Sequence, residues 1–174
     1  RQLFTAGINF EFIDNESLGR AVVEEGLLKV KDSGAAFRAL VFPNMQAVRW
    51  PSIEKAAAFA QAGGKVYAVG ALPSVSDRAG RDDAELTAAN DRAFAPANRL
   101  KGSDQAVEAI RGAFVQDVQG IGQTVRAMHR KAGPRDIYMV MDAQPGQAVE
   151  FRAKGAVELW DPWTGTTAPL RVVA

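Results

Sequence analysis

Two runs of the chain limit its fold more than anything else in it. FRALVFP (residues 37–43) and KVYAVGAL (residues 65–72) are apolar almost without interruption, and a strand of that kind needs cover on both faces. Between them Pro51 stands where a helix begins, and Ile53, Ala56, Ala57 and Ala60 recur at helical spacing. Gly63 and Gly64 then end the segment. A buried strand, a crossover helix and a second buried strand make a parallel pair, because the helix both returns the chain and covers the sheet.

The flanking sequence extends this pattern. Ile8, Phe10 and Phe12 alternate with Asn9 and Glu11 and predict a first strand. Asp14 and Asn15 offer caps for a helix from about Glu16, with Leu18, Ala21 and Val22 on its buried face and Gly26 at its end. A small hairpin through LLKV is expected next. After the second buried strand come a long polar loop, PSVSDRAGRDD, and two helices over residues 84–94 and 104–114, the latter with Val107, Ile110 and Phe114 on one face. The expected architecture for residues 1–118 is therefore α/β, a doubly wound parallel sheet.

Beyond Phe114 the pattern changes. Glycines cluster and periodicity lapses over residues 116–122, which sets the expected boundary. TVRAMHR and DIYMVMD follow, joined by KAGPR, and then AVEFRA, VELW and a last apolar run. Short strands separated by Gly-Pro and Asp-Pro turns are antiparallel β-structure. Residues 119–174 are expected to form the start of an antiparallel β-sandwich, and half a sandwich does not close its own core. The chain opens without Met and ends on PLRVVA, which suggests a piece of something longer, with any targeting segment outside it.

Composition narrows the function. With 21 basic and 20 acidic residues there is no net field to steer nucleic acid or an anionic bilayer. No apolar run reaches the length of a membrane helix. The absence of cysteine from the sequence removes thiolate metal sites, disulfides and a cysteine nucleophile, and with the nucleophile the amidotransferase chemistry known on such folds. DNESL after the first expected strand is not the Ser/Thr/Gly-rich phosphate loop a flavin would need, and neither GxGxxG nor GxxxxGK[ST] occurs.

Several residues remain as candidates. Ligands of open α/β sheets sit beyond the carboxyl ends of the strands, which selects Asp14, Glu16, Asn15, Asn44 and the loop after Leu72. Asp14 and Glu16 read either as the carboxylate pair of a glycosidase or as a helix cap and a first-turn acid. Ser74, Ser76, Arg78 and Arg81 read as an anion site or as a solvated loop. His129, beside Arg130, is the sole histidine; it reads as a hydrogen-bonded structural residue or as a proton carrier. In VELWDPWTG, Trp160 and Trp163 flank Asp161-Pro162 as either a sugar-stacking platform or a hairpin corner.

GINFEFIDNESL, FRALVFPNM, AGGKVYAVGALPSVSDRAGRDDAEL, the HR followed by RDIYMVMD, and FRAKGAVELWDPWTG together resemble the region after the catalytic barrel in bacterial α-L-rhamnosidases of glycoside hydrolase family 106. The likeness covers nearly all of the chain, and its most specific element is the spacing from HR to DIY joined to ELWDP-x-TG. It implies a flavodoxin-like or amidotransferase-like α/β domain followed by the start of a β-sandwich, within an exo-acting enzyme that removes terminal L-rhamnose. The catalytic acids, and any calcium ion, would belong to a barrel outside this segment, so no catalytic, metal or cofactor-binding residue is assigned here. The implied partners are that barrel, the remaining β-domains and a rhamnose-containing glycan, with neither nucleic acid nor membrane, in a periplasmic or secreted parent. Asp14, Glu16, His129, Arg130 and Trp163 are carried as glycan or inter-domain contacts. The resemblance also makes Trp160 a core residue and leaves Trp163 as the indole free to meet a glycan. Shorter connections between Phe94 and Asp104 and between Phe114 and Thr124 depart from the family pattern. The rival readings are a carbohydrate-binding module using Trp163, Trp50 and the loop over residues 74–81, and a free-standing α/β hydrolase acting through Asp14 and Glu16.

Overall fold

A computed structural model describes residues 1–31, 33–120, 125–170 and 172. The chain divides into two compact units, Arg1–Val115 and Gln116–Ala174, and its elements are mixed α/β with small parallel and antiparallel sheets.

The first unit opens with a single turn of helix, α1 (Gln2–Thr5), and then α2 (Asn15–Arg20). Between them the expected first strand is absent: residues 8–14 hold no regular structure. Phe12 is 94% exposed and meets Phe10 edge to face at 5.4 Å. Alternation marks a strand only where a neighbour can take up its backbone hydrogen bonds, and among the described residues no strand pairs in a ladder with this stretch. α2 also ends earlier than expected. Ala21 leaves the helix in extended conformation, and the Lys55 ammonium donates to its carbonyl at 2.5 Å. Gly26 instead serves the turn of a hairpin, β1 (Val22–Glu24) with β2 (Leu27–Lys29). Glu25 and Gly26 have φ of 53° and 71°, the signs a two-residue type I′ turn requires. β3 (Ala36–Phe37) adds to β2 through Leu28 opposite Phe37.

The main sheet follows. β4 (Ala39–Pro43) runs parallel to the later strand Lys65–Val69, with Ala39 opposite Lys65 and Pro43 opposite Val69. Between them lie β5 (Ala47–Val48) and α3 (Trp50–Gln61), which has Pro51 in its first turn. β6 (Lys65–Val69) then leads to β7 (Val75–Ser76) and β8 (Gly80–Arg81), which with β5 form a separate three-stranded patch. α4 (Ala84–Ala93) returns the chain to β9 (Arg99–Leu100), parallel to β6, so the main sheet is ordered β4, β6, β9. α5 (Ser103–Ala113) closes the unit.

Each face of the sheet has its own core. On one side Leu40, Phe42, Val66 and Ala68 pack with Ile53, Phe59, Leu86 and Phe94 of the α3 and α4 layer. On the other, Tyr67 and Leu100 pack with Ala106 and Ile110 of α5, and with Leu3 and Ile8. Leu3 and Ile8 thus belong to the core although neither lies on a strand. Adjacent residues of β6 enter opposite cores because successive strand side chains point to opposite faces. Burial also pushes the Tyr67 hydroxyl above its ordinary titration range, so it stays neutral.

The second unit consists of ribbons. β10 (Val118–Gly120) pairs antiparallel with the later Val149–Phe151, while β11 (Arg126–Ala132) and β12 (Arg135–Met141) form a seven-pair hairpin turned by Gly133 and Pro134. β13 (Val149–Phe151) completes the first ribbon. β14 (Glu158–Trp160) and β15 (Thr167–Pro169) complete a third. Among the described residues the three ribbons are separate two-stranded sheets. Of the last expected strand, residues 171, 173 and 174 lie outside the described residues, as do Gly122 and Thr124 near the expected boundary.

Phe59 and Gly64 offer a test of this packing. A Cβ built on Gly64 would lie 2.1 Å from the fully buried Phe59 ring, whereas Gly112, exposed in α5, has open space around its Cβ position. Gly64→Ala is expected to lower the unfolding free energy in urea by about 1–3 kcal/mol through overpacking, and Gly112→Ala to raise it by roughly 0.5–1 kcal/mol through helix propensity.

Candidate functional site

The carboxyl ends of β4, β6 and β9 converge where a ligand of an open α/β sheet is expected. The backbone there is closed on itself. Asn44 takes φ of 49°, its N–H donates to the Val69 carbonyl at 2.6 Å, and its Oδ1 accepts from the Ala71 N–H at 3.2 Å. Gly70 donates to the Leu100 carbonyl at 2.8 Å, and a Cβ on Gly70 would stand 2.8 Å from Asn44 Oδ1.

Asp14 sits at the start of α2 with both oxygens engaged. Oδ1 accepts from the N–H groups of Glu16 and Ser17 at 2.8 and 2.9 Å, and Oδ2 accepts from the Ser17 hydroxyl at 2.7 Å. The Ser17 backbone and hydroxyl bonds, with that of Glu16, hold the Asp14 carboxyl below its ordinary value. An acid catalyst must carry a proton, and every contact here favours the ionised form. Glu16 is solvent-exposed and pairs with Arg20 at 3.8 Å. Asn15 accepts from the buried Ser52 hydroxyl at 2.9 Å and so ties α2 to α3.

The loop after Leu72 is organised around Arg78. Its guanidinium lies 3.9 Å over the Trp50 ring, pairs with Asp83 at 2.9 Å and also binds Glu85. Asp83 caps α4 through the Glu85 N–H at 3.0 Å and accepts from the Ser76 hydroxyl at 3.2 Å. Asp77 accepts from the Trp50 N–H at 2.7 Å. Arg78 thus fastens the loop to α3 and α4, its guanidinium taken up by two carboxylates rather than open as an anion fork, and one face of Trp50 is covered. The Ser74 N–H donates to the Gln46 carbonyl at 2.8 Å. The buried Asn90 amide donates to the Pro73 carbonyl at 2.8 Å, leaving its own Oδ1 without a partner. Near the opposite end of the sheet a hollow of about 280 Å³ borders Lys65, Arg92 and Asn98, and Asp91 on its rim pairs with Arg99 at 2.6 Å.

In the second unit His129 stands between two carboxylates. Nε2 lies 2.8 Å from Asp136 Oδ1 and Nδ1 lies 3.3 Å from Asp117 Oδ2. Its ring stacks on Tyr138 at 4.4 Å and 10°. Burial, then the Asp117 and Asp136 charges, push the Tyr138 hydroxyl above its ordinary range. The neighbouring Arg130 donates to the His129 carbonyl at 3.3 Å. Asp117, Asp136, Tyr138 and Arg152 were not candidates from sequence. The hairpin register held a signal for two of them: the Gly133-Pro134 turn places His129 opposite Tyr138 and puts Asp136 on the same face.

The VELWDPWTG corner forms as a turn between β14 and β15. Asp161 Oδ1 accepts from the N–H groups of Trp163 and Thr164 at 2.8 and 3.3 Å. The Trp163 backbone bond, followed by that of the Thr164 hydroxyl, keeps the Asp161 carboxyl below its ordinary value. Trp163 is 94% exposed. Trp160 departs from the core position implied for it: it is 50% exposed, donates its indole N–H to Glu158 at 3.3 Å and has Arg135 5.9 Å above its ring. A two-stranded ribbon has nothing stacked on its face to bury an indole.

The five carried residues are divided between the two units. Asp14 caps α2 and Glu16 lies on it in the first unit, while His129 and Arg130 lie on β11, and Trp163 in the corner after β14, in the second. Among the described residues no group of three or more His, Asp or Glu side chains is placed to hold a metal ion. Among the same residues no helix is long and apolar enough to cross a membrane. In comparisons with known proteins, a family model described as alpha-L-rhamnosidase, glycoside hydrolase family 106, matches residues 2–173. No curated protein and no solved structure matches the chain.

Asp83 gives a pH test. Burial opposes ionisation of this carboxyl, only 5% exposed, but Arg78 and the Leu86 and Glu85 N–H groups outweigh it and hold the value below the ordinary 3.8. A carboxyl depressed on folding stabilises fully above its unfolded value, and that contribution is lost as pH drops through the lower folded value. Asp83→Asn is therefore expected to lower stability at neutral pH and to flatten the acid limb of a thermal-melt series. An unchanged acid limb would show that Asp83 does not contribute to it.

Proposed function

Because the chain belongs to the α-L-rhamnosidase family, glycoside hydrolase family 106, we propose that it acts as a non-catalytic structural and inter-domain module of a larger hydrolase of terminal α-L-rhamnose. The observation that carries this reading is the use made of Asp14. Both of its oxygens are engaged by the α2 backbone and Ser17, and these bonds lower its carboxyl from the ordinary value, which suits a cap and works against a proton donor. The catalytic acids, and a calcium ion where one is bound, then belong to the parent's barrel, and the segment needs no cofactor of its own. In finer detail the first unit is a flavodoxin-like layer and the second the start of a β-sandwich.

Exposed apolar side chains support the same reading. Met128, Ile137 and Met139 on the β11–β12 hairpin, with Leu159, Trp160 and Trp163 near the last ribbon, are all open to solvent. Apolar surface of this extent belongs against other protein, and the barrel and remaining β-domains of the parent are the proposed partners.

A carbohydrate-binding module is the second reading, favoured by one observation: the Asp161 turn presents Trp163 almost wholly to solvent. Trp50 contributes less than the sequence suggests, since Arg78 covers one face.

The chain is expected to release no chromophore from a chromogenic α-L-rhamnoside above the buffer rate. Hydrolysis that disappears in an Asp14→Asn, Glu16→Gln double variant would overturn the module reading and restore the free-standing hydrolase. Titration with rhamnose-containing oligosaccharides separates the remaining two. Millimolar binding lost in Trp163→Ala with the fold intact would establish the binding module, and the structural module predicts no such binding.

A further inference from the structure

The ring of His129 is enclosed by named groups of the second unit. Asp136 and Tyr138 approach from β12, and Asp117 from the segment entering β10. Arg152, next to the end of β13, binds Asp117 Oδ1 through Nε at 2.6 Å and again through Nη2. On its own strand Arg130 and Lys131 follow, with Lys131 opposite Asp136 in the ladder. The side chain is 18% exposed.

A neutral imidazole has one N–H and one lone pair, whereas an imidazolium has two N–H groups. Both ring nitrogens here face carboxylate oxygens, which only accept when ionised. With the proton on Nε2 alone, the Nδ1 lone pair confronts Asp117 Oδ2 at 3.3 Å. The other tautomer moves the same conflict to Asp136, at 2.8 Å. Only the doubly protonated ring suits both neighbours. It also balances the cluster, setting His129 and Arg152 against Asp117 and Asp136.

The position of the cluster gives this chemistry a mechanical meaning. Among the described residues the β10–β13 ribbon and the β11–β12 hairpin share no ladder. They are linked by side chains: Tyr138 on Phe151 at 5.0 Å, and His129 on Asp117. We propose that His129 is a proton-operated latch that, when doubly protonated, ties the segment entering β10 to the β11–β12 hairpin, and that loses its Asp117 end when the ring gives up a proton. The protonated ring gains two carboxylate partners on folding. The latch is therefore closed while the ring is doubly protonated and open once it is neutral.

The full 174-residue chain tests this directly, because its sole histidine gives a single imidazole spin system to follow by NMR. Amide exchange over residues 117–120 and 149–152, corrected for intrinsic chemistry, is read in the same samples between about pH 5 and 8, where histidine titrates. The opening constant of these amides is expected to rise about fivefold as the ring deprotonates, the scale of one partly exposed ion pair. It is expected to stay flat in His129→Gln. Asp117→Asn, which places an amide donor opposite Nδ1, is expected to be flat as well, and it decides the matter where the first variant does not fold. An opening constant that ignores the imidazole titration in the unaltered chain, or a full response surviving in either variant, overturns the latch.

Discussion

The double burial of β6 is the constraint on which the first unit depends. Val66 and Ala68 enter the core under α3 and α4, and Tyr67 enters the core under α5. A five-residue strand covered on both sides needs parallel neighbours and helical crossovers, because only these supply cover while satisfying the backbone of the strand. The order β4, β6, β9 and the placement of α3 between the first two follow from that requirement. So does the Arg78 hub, whose ties to Trp50, Asp83 and Glu85 secure the long loop that such a crossover leaves over the sheet.

The second unit rests on different physics. Among its described residues only Val118 and Val125 are buried. Local order there comes from ladder hydrogen bonds, from the stack of His129, Tyr138 and Phe151, and from ion pairs such as Arg126 with Asp142 and Arg152 with Asp117. Ion pairs open to solvent contribute little to stability, and isolated two-stranded ribbons are marginal. The two units therefore differ in how much of their own stability they carry.

What the sequence disclosed follows the same division. The strands at residues 37–43 and 65–72 and the helix between them were legible because continuous burial leaves an unbroken apolar record. Pro51, Gly63 and Gly64 marked the ends of that helix. The turns at Gly133-Pro134 and Asp161-Pro162 were legible because their geometry restricts residue type. Ile8, Phe10 and Phe12 misled because alternation records a face and not a partner. β9 escaped notice because two residues carry no period. Of the site residues, Asp14 was readable as a cap from its place before a helix, and Trp163 as a corner residue. The surroundings of His129 were only half readable. Asp136 follows from the hairpin register, while Asp117 arrives from outside the hairpin through tertiary placement that no local pattern records.

The closure between Asn44 and Gly70 bears on how this fold diversifies over time. Both residues occupy left-handed backbone, and a side chain at Gly70 would run into Asn44. A side chain at Gly70 is accommodated only where Asn44 gives way, so a change at Gly70 is expected to come with one at Asn44 across related chains. Point mutation is a poor route to novelty at this end of the sheet. Lengthening or shortening the connection over residues 73–83 alters what stands above the strands while leaving that pair and its Ala71 tie undisturbed, and loop length is therefore where related chains have room to diverge.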